Sequence, residues 1–460
     1  MPQSCLLTIV ILSTASAAVF ATDASRPPNV VFLFADDLGF SDPHCYGHPY
    51  ARTPNIDRLA REGTRFTQFY VTGVTCCPSR TGFMTSRFPA RFATYPANGG
   101  FGDRVTITEL LHRTGYATGH FGKWHIGPEM KPGTYGIDVT PITEERPRKR
   151  HNTRGRDAPI YDEAIRFIEQ HADRPFYVNV WGHSTHHPVN PPQSCVDRFQ
   201  DLVVREADFP EPMREKFALA KSLGGDVNVA MRNYLGELSA LDDDIGRLLT
   251  RLDELGLAQQ TIVVFSSDHG SPSPKPPGQN AKNKPTNADQ EQFRLNLMGF
   301  NGNLSGGKHG MEEGGVRVPF IIRWPGRVPA GRVDEQSVTS GIDWLPTLCR
   351  LAGVAINAAD FDGEDVSAAW LGGTHVRSNP LLWKTSNPKS EMGIRDGNWK
   401  LHHPNRHRGE VELYDVVADP TEAHNVAAQH PEIVQRLSKL VEQWNATLPT
   451  EYLKTGDKDD

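Results

Sequence analysis

Short apolar runs rich in β-branched and aromatic residues alternate with stretches of helical periodicity along most of this 460-residue chain, and that alternation restricts the fold more than any other feature. The runs are NVVFLFADD (29–37), YATGHFGKWH (116–125), PFYVNVWGH (175–183), TIVVFSSDHG (261–270) and PFIIRWPG (319–326). Runs so uniformly apolar read as strands buried on both faces, the condition of a parallel sheet covered by helices. Between them, TPNIDRLAREG sets Pro54 at a helix start and Gly63 at its stop, and an amphipathic pattern covers 231–255. The expected class is therefore α/β, a large mixed, mostly parallel sheet sandwiched by helices.

Around 360–379 the texture becomes turn-rich, and PLLWK, GIRDGNWKLHH and VELYDVV then read as strands of a smaller antiparallel sheet. The closing PEIVQRLSKLVEQWNATL has the period of a helix packed on that sheet. The division that follows is a leader at 1–24, a large domain at 25–378 and a C-terminal subdomain at 379–460. The leader, MPQSCLLTIVILSTASAAVFATDAS, is apolar over 6–12, then small, with A-x-A-like cleavage candidates ending near Ala21. That shape predicts a signal peptide and export to a periplasmic, secreted or lysosomal-type compartment, although no Lys or Arg precedes the apolar core. The core is short for a membrane span and no later segment is long and apolar enough, so no stable membrane insertion is expected.

A formal charge of -6 with 23 % charged residues argues against a nucleic-acid partner. Once the leader is removed, Cys45, Cys76, Cys77, Cys195 and Cys349 remain. This set is odd in number and scattered, which is no disulfide framework.

Polar residues gather where the apolar runs end. Asp36 and Asp37 follow the first run, Asp268 and His269 the fourth, and open α/β sheets hold their ligands at the carboxyl ends of strands. Alone, a DD pair is a helix cap or turn. Three carboxylates and a histidine brought to one sheet edge suit a divalent cation, with oxygen-rich ligation favouring Ca²⁺ or Mg²⁺. Lys123 and His125 follow the second run, His183, His186 and His187 the third, and Lys308 precedes the fifth. Each alone is more often a surface residue; together they suit an anion held by lysines beside a metal. The residues thus point to a metal-dependent hydrolase of an anionic ester and leave phosphate and sulfate equally open.

The segment VTCCPSR contains C-x-P-S-R at Cys76, Cys77, Pro78, Ser79 and Arg80, and resembles the signature of the formylglycine-dependent type I sulfatases, within the alkaline-phosphatase-like superfamily. The resemblance continues in order through ADDLGFSD, TPNIDRLAREG, GKWHIG, THHP, SDHG and GGVRVPFIIRWPG to RDGNWKL and LYDVVADPTE. It implies an alkaline-phosphatase-like fold and a 3-oxoalanine (formylglycine) formed from Cys76 by a formylglycine-generating enzyme or radical maturase. One hydroxyl of the formylglycine hydrate would attack sulfur and the other would expel sulfate. It further implies that Asp36, Asp37, Asp268 and His269, with position 76, hold Ca²⁺, and that Arg80 fixes the hydrate. Lys123 and Lys308 would neutralise the transferring group, His186 protonate the leaving oxygen and His125 assist the second step. His186 is matched by its spacing to Pro188; His183 and His187 are expected to face substrate or to be structural. His269 stands where many members carry asparagine, and Met84 and Ser86 where leucine and glycine are common. Cys77 fills the variable position of the signature and needs no catalytic role.

The shared motifs do not choose a substrate. The branch that contains arylsulfatase A and N-acetylgalactosamine-6-sulfatase is closest in texture. The expectation is an exo-acting sulfatase of a sulfated carbohydrate, a glycosaminoglycan or marine polysaccharide fragment, with N-acetylgalactosamine-6-sulfate as one candidate. The basic run Arg146, Arg148, Lys149, Arg150, Arg154 and Arg156 is either a solvated loop or a steering patch for such a polyanion. The alternatives are a phosphomonoester or phosphodiester hydrolase of the same superfamily and a non-catalytic glycan-binding relative.

Overall fold

The structure is a computed structural model that describes residues 26–95, 99–127, 130–141, 153–273, 294–385, 391–404 and 409–453. The leader and the basic positions 146–150 lie outside the described residues. The central strand β1 (Asn29–Asp36) is buried at every position. It pairs in parallel with β5 (Phe176–Thr185) on one side and β6 (Thr261–Ser267) on the other, as uniformly apolar runs require. With β2 (Thr64–Phe66), β4 (Ala117–Gly122), β7 (Phe320–Arg323) and β8 (Arg332–Asp334) they form a seven-stranded sheet in the order β4-β5-β1-β6-β7-β2-β8. Strand β7 runs antiparallel to β6, and β3 (Phe69–Tyr70) pairs apart from the sheet with β9 (Thr339–Ser340). His183 lies within β5 rather than beyond it, because the strand continues past an irregularity at Phe34/Asp36 to pair Thr185 with Asp36.

The two-residue period of β1 divides the core. Val30, Phe32 and Phe34 face one layer, while Val31, Leu33 and Ala35 face the other. On the first side Phe32 meets Trp344 at 4.5 Å and Phe83 at 5.0 Å between ring centroids. Phe83 belongs to the helix Cys76–Thr85, every residue of which is buried. Each fully buried Phe contributes about 1.5–3 kcal/mol, so this packing presses the helix onto the sheet and fixes where its first residue, Cys76, stands. On the second side the long helix Val227–Glu254 covers the sheet and also caps the helix Pro54–Glu62: Asp242 accepts from the Asn55 and Ile56 amides at 3.1 and 2.8 Å. Asp242→Ala orphans those two amides and is expected to lower stability by about 1–2 kcal/mol, read as a shift in urea midpoint at constant m-value.

The smaller sheet follows as β10 (Leu381–Lys384), β11 (Met392–Asp396), β12 (Trp399–His403) and β13 (Glu412–Asp415), all antiparallel. Leu382, Ile394, Leu401 and Leu413 are paired in succession across it and buried. The helix Pro431–Asn445 closes over it with Leu437, Val441 and Trp444. Trp383 donates to the Val71 carbonyl at 2.8 Å and so seams this sheet to the larger body.

Candidate active site

Parallel strands share a direction, so β1, β6, β4 and β5 deliver their carboxyl ends to one edge. Asp36 is the last residue of β1, and Asp37 turns away at φ 64°, in the left-handed region. Asp268 and His269 follow β6, and Lys123 follows β4. Against this edge rests the N-terminus of the helix Cys76–Thr85, which presents Cys76. The Cys76 thiol lies 3.4 Å from Asp36 Oδ1, 3.3 Å from His269 Nε2 and 3.3 Å from Lys123 Nζ, with Lys308 Nζ at 4.0 Å.

Every charge here has an opposite. Lys123 Nζ donates to Asp36 Oδ2 at 2.8 Å and Lys308 Nζ to Asp37 Oδ1 at 2.9 Å. Fully buried Arg80 donates to Asp268 Oδ2 at 2.9 Å and to the Lys123 carbonyl at 3.0 Å, and lies 3.6 Å from Asp36. Burial alone would raise the Asp36 carboxyl, yet Lys123, His186, Arg80 and Lys308 hold it well below the usual range. Asp37 is likewise held low, against its burial, chiefly by Lys308 and then by His186. The Cys76 thiol moves the other way: burial, then Asp268 and Asp36, push it well above its ordinary value. An unmodified Cys76 is accordingly a neutral thiol, a weak nucleophile.

Asp36, Asp37, Cys76, Asp268 and His269 each turn a ligand atom into a space less than 4.8 Å across. His269 Nδ1 lies 2.9 Å from the Gly270 carbonyl, so that nitrogen carries a proton, and in the neutral imidazole Nε2 presents the lone pair. That lone pair faces Asp37 Oδ1 at 3.2 Å and Asp268 Oδ1 at 3.5 Å. Acceptors turned toward acceptors fit a cation between them, and a mostly carboxylate set fits Ca²⁺ or Mg²⁺.

The remaining predicted residues take supporting places. His186 Nε2 stands 3.9 Å from Asp37 Oδ2 and its Nδ1 is 2.7 Å from the His187 carbonyl. His187 is exposed and stacks on His186 with ring centroids 4.1 Å apart. His183 is anchored through its backbone, whose amide donates to Asp157 Oδ1 at 2.9 Å. Burial pushes its imidazole down to about 4. His125 follows Lys123 by two residues on the same connection, half-buried at φ 58°.

Arg156, read as part of a solvated loop or a steering patch, instead donates to the His186 and Pro188 carbonyls at 2.6 and 2.7 Å and pairs with Glu237. Arg154 pairs with Asp162. The correction has a physical cause: two carbonyls and a carboxylate beside the histidine segment engage the Arg156 guanidinium. Sequence reading missed Asp157, Arg156 and Glu237 as the brace of that segment, because none of them lies in a motif. Ser86 occupies the left-handed position that ends the Cys76 helix, where glycine is usual, and its hydroxyl bonds to the Ile342 carbonyl. Among the described residues Cys45, Cys76, Cys77, Cys195 and Cys349 form no disulfide.

A mostly parallel sheet whose strand ends gather three carboxylates, two lysines and a helix-borne Cys76 defines a hydrolase of the alkaline-phosphatase-like fold. The family model named Sulfatase matches residues 28–354, and that for the C-terminal part of N-sulphoglucosamine sulphohydrolase matches 307–447. Human arylsulfatase A is 30 % identical over 90 % of this chain and 87 % of its own length. N-acetylgalactosamine-6-O-sulfatase of Bacteroides thetaiotaomicron is 29 % identical over 91 % of this chain and 93 % of its own. The solved structure of Ps i-CgsB in complex with k-i-k-neocarrahexaose superposes with a TM-score of 0.76 at 23 % identity, covering 94 % of this chain and 96 % of that one. The chain belongs to the sulfatase family, and it is a sulfuric ester hydrolase.

Proposed function

We propose that this enzyme removes sulfate from a sulfated carbohydrate, acting at chain ends, with Cys76 matured to formylglycine and Ca²⁺ bound by Asp36, Asp37, Asp268 and His269. The observation that carries the reading is the position of Cys76, the first residue of a wholly buried helix, in contact with two lysines and the carboxylate cluster at once. As the hydrate of formylglycine, position 76 would offer a hydroxyl in place of a thiol whose burial keeps it neutral. Bound Ca²⁺ would supply Lewis-acid polarisation of the sulfate oxygens.

The chain's own residues divide the remaining work. Lys123 and Lys308, both held fully charged by Asp36 and Asp37, meet the negative charge on the transferring group without having to reorganise. Arg80 is fixed by Asp268 and the Lys123 carbonyl, so it can orient the group at position 76 without moving. His186, with Nδ1 committed to the His187 carbonyl, offers Nε2 as the donor to the leaving oxygen, 3.9 Å from Asp37 Oδ2. His125, on the Lys123 connection, is assigned to the second step. The carbohydrate reading draws on the relative named N-acetylgalactosamine-6-O-sulfatase and on the structural neighbour solved in complex with k-i-k-neocarrahexaose. The chain's leader suits export, and no helix among the described residues is long and apolar enough to cross a membrane.

The test uses enzyme co-expressed with a formylglycine-generating enzyme, with mass spectrometry of the Cys76 peptide. A panel of defined sulfated mono- and disaccharides, including N-acetylgalactosamine-6-sulfate, is run beside p-nitrophenyl sulfate and the corresponding phosphomonoester and phosphodiester. A kcat/KM for sulfate at least about 100-fold above that for either phosphate is expected. The reverse order would assign the site to phosphate esters.

A further inference from the structure

The motif LYDVVADPTE in the C-terminal subdomain lies far along the chain from every residue assigned above, yet its last residue reaches the active-site shell. We propose that Glu422 is a positioning residue for Lys308, clamping the loop that carries it, so that the C-terminal subdomain forms part of the catalytic apparatus. This inference rests on the sulfatase reading of Lys308.

The clamp is built from local structure upward. Asp419 closes a turn on the Asp415 carbonyl at 2.7 Å and receives the Glu422 amide on its own carbonyl at 3.1 Å. Its carboxylate accepts the His424 amide at 2.9 Å. Glu422 is thereby held at φ 51°, a left-handed conformation uncommon for a residue with a Cβ, and its side chain is directed inward. One carboxylate oxygen, Oε2, accepts from Ser305 Oγ at 2.8 Å and from the Glu313 amide at 2.6 Å. The other, Oε1, meets His402 Nε2 at 2.9 Å and Lys400 Nζ at 3.2 Å. Lys400, fully buried, also donates to Glu313 Oε1 at 2.9 Å. Two strand residues of the small sheet therefore anchor the carboxylate that grips the large domain.

What it grips are the two ends of one loop. Ser305 and Glu313 bracket GGKHGME, and the Gly314 amide closes the ring on the Ser305 carbonyl at 2.7 Å. Inside the ring, the Lys308 amide bonds to the Ser271 carbonyl at 3.0 Å and the His309 amide to the Val74 carbonyl at 2.9 Å. Val74 is two residues before Cys76 and Ser271 two after His269, so the ring joins the nucleophile helix to the cation cluster, with Lys308 between them. The ring is tight: a Cβ on Gly315 would stand 2.1 Å from the Gly310 carbonyl oxygen. A lysine on so short a loop depends on the fixity of the loop's ends, and one oxygen of Glu422, Oε2, accepts a hydrogen bond from each end.

Glu422→Gln tests this directly, because a carboxamide presents an acceptor to only one side. Either Ser305 and the Glu313 amide, or His402 and Lys400, would then face its NH₂ group. The expected result is a fall in kcat of about tenfold or more with KM within about twofold. Amide exchange across 304–316, followed by mass spectrometry, is expected to quicken at least about fivefold. In a Lys308→Ala background the further fall on adding Glu422→Gln should shrink to less than about twofold, since the two residues act as one unit. Ser305→Ala, which removes a single tether and leaves the buried charges intact, should quicken exchange of the same segment and serves if the glutamine variant does not fold. Unchanged exchange in the variants that fold, or a full-sized fall in kcat that persists in the Lys308→Ala background, overturns the proposal. A wild-type enzyme without sulfate-ester hydrolysis would instead overturn the sulfatase reading, and the exchange measurement would still decide whether the clamp exists.

Discussion

Cys76→Ala is expected to lower kcat/KM on a sulfate ester by at least about 10⁴-fold, as loss of a covalent nucleophile does elsewhere, while Cys77→Ser stays within about threefold of wild type. The two cysteines are neighbours in sequence and in burial, and only direction separates them. Cys76 meets Asp36, His269 and Lys123 within 3.4 Å. Cys77 carries no disulfide, and its carbonyl accepts the Thr81 hydroxyl at 2.9 Å within the helix. A hydroxyl at position 77 adds one buried polar group, with a cost of about 1–3 kcal/mol if unpaired, which shows in melting temperature rather than in rate. Cys76→Ser separates maturation from geometry: a serine keeps a hydroxyl there but not the second one of a hydrated aldehyde, so turnover should be lost after at most a single event. A Cys76→Ala enzyme that retained even a tenth of wild-type activity would sink the assignment, and so would a Cys77→Ser enzyme that lost it.

How much of this was legible in advance depends on the distance over which each feature is specified. The strands β1, β5 and β6 are local statements, runs of buried apolar residues, and so are the acids at their ends. The helix Pro54–Glu62 was marked by its proline and the glycine after it. What no local pattern carries is the partner of each charge. Arg156 looked like a free cation in a basic stretch, and became the brace of His186 only when β5 and the helix Val227–Glu254 brought two carbonyls and Glu237 around it. Glu422 ends LYDVVADPTE, a stretch read only for its family resemblance, although its oxygen serves a loop more than a hundred residues earlier. The reversal of β7 against β6 was equally silent, since a short buried strand has the same composition in either direction.

Removing the cation should reveal how much of the site depends on it. Enzyme dialysed against a chelator is expected to lose at least about tenfold in rate and roughly 2–5 °C in melting temperature, and to regain both on addition of Ca²⁺. The thermal effect follows from the charge balance. Asp36, Asp37 and Asp268 converge on a space in which Lys123, Lys308 and Arg80 approach from the periphery, and the lone pair of His269 adds a fourth acceptor. A cation in the middle relieves the mutual repulsion of those acceptors in the folded state alone, since the unfolded chain holds them apart. His269→Asn keeps an uncharged donor there and should retain the Ca²⁺ response. Asp268→Ala should lose it and fall further than cation removal alone, because it also strips fully buried Arg80 of its 2.9 Å partner. Breaking such a pair costs about 3–5 kcal/mol, so the variant should melt well below the chelated wild type. A melting temperature indifferent to chelator and Ca²⁺ in the wild type would remove the cation from the site. An Asp268→Ala protein that still gained stability from Ca²⁺ would remove Asp268 from its ligands.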